Sequence, residues 1–123
     1  MRIPILQLED ILLTSIQVDI TDRDVLDFQS DLLQMLSKTE AKGVIIDITA
    51  LGVVDSFIAR VINDTANMAR LLGAEIVISG MHPMVALTLI EMGRELIGVE
   101  TSLNLAQGID KLNRLIRERG PRL

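Results

Sequence analysis

Val44-Ile-Ile-Asp-Ile-Thr-Ala-Leu-Gly-Val-Val-Asp-Ser-Phe-Ile-Ala-Arg60 is the stretch that decides the fold. Val44–Ile48 is short and mostly β-branched, which predicts a buried strand. Thr49–Val54 reads as a loop containing Gly52, and Asp55 stands where a helix N-cap is expected. In the helix that follows, Phe57, Ile58, Val61, Ile62, Met68 and Leu72 supply apolar faces. Arg60, Asn63, Asp64, Asn67 and Arg70 form a polar stripe. Gly73 stops that helix, and Ala74–Ser79 reads as a second buried strand. Strand, helix and strand in this order make a parallel pair with a crossover helix.

Working outward, Val25, Phe28, Leu32 and Leu36 recur at helical spacing and predict an amphipathic helix over Asp22–Glu40. Thr21 is its N-cap, with Asp24 completing a capping-box variant. Before it, Ile3–Leu8 and Ile11–Val18 read as strands joined through Glu9-Asp10 into a hairpin. Pro4 suits an edge. Towards the C-terminus, Pro83 opens a short helix over Pro83–Met92, and Gly93 ends it. Leu96–Val99 reads as a brief strand. Thr101 or Ser102 caps a last helix carrying Leu105, Ile109, Leu112 and Ile116. Arg114, Arg117 and Arg119 crowd its end, and Gly120-Pro121 terminates it. The order β-β-α-β-α-β-α-β-α predicts a single α/β domain over 1–123. Its sheet is mixed but mainly parallel, with an N-terminal hairpin and helices packed against it.

Composition narrows the function. The chain has 123 residues, one histidine, and no cysteine, tryptophan or tyrosine. Thiolate nucleophiles, thiolate metal sites and multi-histidine metal sites are therefore excluded. Neither GxGxxG nor GxxxxGK[ST] occurs, so neither a dinucleotide nor a triphosphate fingerprint is present. No metal and no cofactor is expected. A net charge of −5 and 2 % aromatic residues argue against a nucleic-acid partner. Residues 1–64 carry 11 acids and 5 bases, whereas residues 65–123 carry 6 and 7. Asp22, Asp24, Asp27 and Asp31 account for much of the excess, and a solvated helix face explains them. No apolar run reaches the ~18 residues of a membrane span, and no signal segment opens the chain. A cytoplasmic protein without a membrane partner is expected.

Three features compete for a role. His82 lies at a strand-to-helix junction, a common ligand position in α/β sheets. A hydrolytic or small-ligand domain would have to use it. Yet no nucleophile and orienting acid accompany it, so a structural or surface histidine is the simpler reading. Met84–Met92 holds only Thr88 and Glu91 as polar residues. Such a helix needs cover on more than one side, from neighbouring helices or from a partner chain. Met84, Leu87, Thr88 and Glu91 are the expected assembly surface. Ser56 falls in a first helical turn, where free N–H groups and the dipole accommodate an anion such as phosphate. By residue type alone, Asp55 and Ser56 are better read as capping residues than as a phosphate site.

Asp47-Ile-Thr-Ala-Leu-Gly-Val-Val-Asp-Ser56, Leu72-Gly-Ala-Glu-Ile-Val-Ile-Ser-Gly80 and Pro83 together resemble a STAS domain, the family of anti-sigma factor antagonists. The resemblance spans nearly the whole chain. Asp55-Ser-Phe-Ile-Ala-Arg60 and Gly80-Met-His-Pro-Met-Val-Ala-Leu-Thr-Leu-Ile-Glu-Met-Gly93 are most similar to its stressosome scaffold branch. Simple antagonists usually continue Asp-Ser with Ser/Thr-Gly-Leu-Gly, whereas Phe57-Ile-Ala-Arg60 stands here. The resemblance implies a non-catalytic scaffold with Ser56 as phosphoacceptor and Thr88 as a possible second. Asp55, Ser56, Phe57 and Arg60 would dock a serine/threonine switch kinase, which phosphorylation would release. It further implies a cognate phosphatase and a homo- or hetero-oligomer with a sensor paralogue that carries a C-terminal STAS domain. A simple antagonist binding an anti-sigma kinase is the alternative.

Overall fold

The computed structural model describes residues 3–17, 19–93 and 99–119. Five strands form one sheet in the order β1 (Ile5–Leu8), β2 (Ile11–Ser15), β3 (Gly43–Asp47), β4 (Glu75–Ser79) and β5 (Val99–Ser102). β1 and β2 pair antiparallel, and all later neighbours pair parallel. The helices are α1 (Asp22–Thr39), α2 (Ser56–Leu71), α3 (Pro83–Glu91) and α4 (Leu105–Arg119). The expected fold class is thus present.

The strand alternation sorts the core into two layers. Val44, Ile46, Ile76 and Ile78 pack beneath α1 and α2, with Phe28, Leu32 and Ile62. Ile45 and Val77 point the other way, onto Leu112 of α4. Both faces of β3 and β4 are covered, which is why these strands read as continuous apolar runs rather than alternating ones.

Local chemistry sets the element ends. Thr21 Oγ1 accepts from the Asp24 backbone N–H at 3.1 Å, and Asp24 Oδ2 accepts from the Thr21 N–H at 3.0 Å. That backbone N–H is the main reason the Asp24 carboxyl is held below its ordinary value. α1 closes on Glu40 in the left-handed region, φ 54°, one residue short of the expected end and without a glycine. Its N–H bonds back to the Leu36 carbonyl, which offsets the steric cost.

Several element limits differ from the sequence reading: β1 opens at Ile5 rather than Ile3, and β4 at Glu75 rather than Ala74. β2 ends at Ser15, and Val18 lies outside the described residues. β3 is shifted one residue earlier, because Gly43 pairs with Ile11 and Glu75. Leu96, Ile97 and Gly98 of the expected last strand lie outside the described residues, while Val99 begins β5. Thr101 and Ser102 are strand residues, not caps. Asn104 takes the capping role, with its Oδ1 accepting from the Gln107 N–H at 2.9 Å. The terminating Gly120-Pro121 is also outside the described residues.

Candidate functional site

The carboxyl ends of β2, β3 and β4 meet around one carboxylate. Asp47 is buried and accepts three hydroxyl donors. Ser79 Oγ and Thr49 Oγ1 donate to its Oδ1 at 2.9 and 2.7 Å. Ser15 Oγ donates to its Oδ2 at 3.2 Å, and Gln17 Nε2 donates to Ser15. A buried carboxylate is tolerable because these donors replace water. The sequence reading passed over Asp47. Its signal was an acid inside an otherwise apolar strand.

The loop Thr49–Val54 hangs from this hub and delivers the chain to α2. Leu51 is buried and its N–H donates to the Ile48 carbonyl at 2.9 Å. Thr49 abuts Gly80, whose φ of +76° puts a would-be Cβ onto the Thr49 side chain and 2.9 Å from Thr49 Cα. The two turns can approach this closely only because residue 80 lacks a side chain.

Asp55 is the α2 N-cap, and its Oδ1 accepts from the Ile58 N–H at 2.8 Å. Ser56 is the first helical residue and is exposed. Arg60 lies one turn further along, its guanidinium carbon 5.9 Å from the Phe57 ring centroid. Phe57 is half-buried and Arg60 exposed. The expected docking residues Asp55, Ser56, Phe57 and Arg60 therefore share one helix tip, with the hydroxyl facing solvent. Asn63 is a correction: it is buried, with its Oδ1 lacking a partner among the described residues, rather than part of an outer polar stripe. Ile48, Ile78, Val85 and Leu89 surround it, because α2 is flanked by α3 as well as by α1.

α3 is covered on one side only. Val85 and Leu89 are buried, whereas Met84, Leu87 and Ile90 are 51, 46 and 71 % exposed. Glu91 is exposed beside them. Ile90 belongs to this surface although the sequence reading did not name it. Thr88 is half-buried and its Oγ1 donates to the Met84 carbonyl at 2.9 Å, within the helix. Thr88 is thus less available than Ser56.

His82 is the α3 N-cap by position, yet its side chain caps nothing there. It turns to the neighbouring loop, and its Nε2 lies 2.7 Å from the Thr49 carbonyl. Among the described residues no group of three or more His, Asp or Glu is placed to hold a metal ion. No described helix is long and apolar enough to cross a membrane.

One family model and four relatives match the chain. A family model described as "STAS domain" matches residues 2–107. An RsbS variant from Moorella thermoacetica with a serine-to-glutamate change is 43 % identical, with a TM-score of 0.84 over 94 % of this chain and 97 % of that one. A chain from the molecular architecture of the stressosome, a signal integration and transduction hub, is 44 % identical, with a TM-score of 0.81 over 93 % of this chain and 99 % of that one. Among curated proteins, the RsbT co-antagonist protein RsbRA of Bacillus subtilis (strain 168) is 35 % identical over 79 residues, 64 % of this chain and 29 % of that protein. The RsbT co-antagonist protein RsbRD of the same organism is 29 % identical over 87 residues, 71 % of this chain and 31 % of that protein. The matches thus span about three tenths of these curated relatives.

Proposed function

The chain belongs to the STAS domain family, and on that premise we propose that it is a non-catalytic scaffold of a stressosome-type complex, phosphorylated at Ser56. The observation that carries this reading is the exposed Ser56 hydroxyl at the tip of α2, flanked by Asp55, Phe57 and Arg60. The chain supplies the hydroxyl and a docking surface, and a serine/threonine switch kinase supplies the chemistry. The stressosome setting is supported by the 43–44 % identical solved chains and by relatives named as RsbT co-antagonists. Those same relatives support a cytoplasmic setting and a sensor paralogue as assembly partner. A phosphatase would reset the serine.

The geometry suggests how phosphorylation would release a kinase. A phosphoryl group adds about −1.5 to −2 charges at Ser56. The helix dipole favours that charge and Asp55 opposes it. Arg60, four residues on, is a surface neighbour of position 56 and the nearest cation along α2. It would leave the Phe57 ring for the phosphate, since a charge-assisted pair outweighs an exposed cation–π contact of about 0.5–1 kcal/mol. The surface that held the kinase would then change both its charge and its shape, with little change to the fold.

Intact mass spectrometry after incubation with a purified stressosome-type switch kinase and ATP tests the acceptor. Wild type gains one phosphate and Ser56→Ala gains none. Equal uptake by both chains contradicts the assignment. A simple antagonist would also take up phosphate but would elute as a monomer or dimer with its paralogue present, where the scaffold forms large particles.

A further inference from the structure

The loop that leads to Ser56 is fastened at Thr49 from two sides. The Thr49 hydroxyl donates to Asp47 Oδ1 at 2.7 Å, at the end of β3. The Thr49 carbonyl lies 2.7 Å from His82 Nε2, at the opening of α3. A carbonyl only accepts, so Nε2 carries the proton, in the neutral Nε2–H form or in the cation. Asp47 is in turn tied to Ser15 and Ser79, so the inner anchor belongs to the rigid sheet. The outer anchor rests on one exposed ring. Past Leu51, the exposed residues Gly52 and Val53 lead through half-buried Val54 to the Asp55 cap.

We infer that His82 is a positioning residue for the Ser56 site: its ring N–H clasps the Thr49 carbonyl and so fixes the loop Thr49–Asp55 and the first turn of α2 where Ser56 meets a kinase. The inference rests on the reading of Ser56 as phosphoacceptor. It accounts for a histidine that occupies an N-cap position and caps nothing. It also accounts for the close approach of Gly80 to Thr49, which brings the two turns within reach of one side chain. The ring neither touches Ser56 nor takes part in phosphoryl transfer.

The test uses the full chain as wild type, His82→Ala and His82→Gln, with a purified stressosome-type switch kinase and ATP. His82 is exposed, so its replacement leaves the core intact. In His82→Ala, kcat for Ser56 phosphorylation is expected to fall about tenfold, more than KM rises, below the ~100-fold that a 1 Å misplacement can cost. Amides of residues 50–56 exchange at least about tenfold faster, while those of α1 keep their protection. His82→Gln, which offers an amide N–H at similar reach, restores both. A His82→Ala chain that is phosphorylated at the wild-type rate overturns the inference, as does one whose loop exchange is unchanged. Phosphate uptake by Ser56→Ala as well as wild type refutes the acceptor assignment instead, and the exchange rates alone then decide whether His82 holds the loop.

Discussion

Replacing Met84 and Leu87 together by aspartate should leave the chain folded and abolish its assembly with the sensor paralogue. Both side chains are about half exposed on the outer face of α3, so their loss opens no cavity. Met84 is the second residue of α3, where a carboxylate is favoured by the dipole. Thermal unfolding should therefore stay close to wild type. An interface is different. A buried anchor residue there is commonly worth about 2 kcal/mol or more, and two unpaired carboxylates add desolvation. Affinity should fall at least ~100-fold, since each 1.4 kcal/mol is about tenfold. Size-exclusion chromatography of the mixed chains reads this directly. Full-size particles formed by the double variant would remove α3 from the assembly surface.

Gly80→Ala should be the most damaging single methyl group that can be added at the site. A φ of +76° costs an L-residue roughly 1–2 kcal/mol, and the new Cβ would lie on the Thr49 side chain and 2.9 Å from its Cα. Overpacking of that kind adds about 1–3 kcal/mol. Together they predict a loss of about 3 kcal/mol and a melting temperature lower by roughly 10 °C, measured by calorimetry. Gly52→Ala is the control. It sits in the loop that holds Thr49, with nothing within 4 Å of the added carbon, and should change stability by less than ~0.5 kcal/mol. Equal melting of the two variants would contradict the close fit of the two turns.

The elements were legible where local chemistry and periodicity agreed. Thr21 with Asp24, Asp55, and Pro83 at the start of α3 each sit where the sequence placed them. The β-branched runs of β3 and β4 revealed strands covered on both faces. The failures have a common physical cause, which is tertiary context. Asn63 looked like a surface residue because its neighbours in the helical stripe are polar. It is buried because α3 packs beside α2, a contact that helix periodicity does not encode. Thr101 and Ser102 looked like caps because hydroxyls precede an amphipathic stretch. They belong to β5 because Ile78 and Ser79 of β4 pair with them. In the site, Ser56 was visible from its place after a loop and an N-cap. His82 was visible too, at a strand-to-helix junction, but its link through Thr49 to Asp47 was not, since that connection depends on three strand ends meeting in space.

The central claim is that phosphorylation of Ser56 releases a kinase that the unmodified scaffold retains. Co-elution of the purified switch kinase with the scaffold and sensor paralogue, before and after adding ATP, tests it most directly. Wild-type particles should hold the kinase without ATP and lose it with ATP, whereas Ser56→Ala particles should hold it in both conditions. Loss of the kinase from both scaffolds on adding ATP, or from neither, would contradict the account.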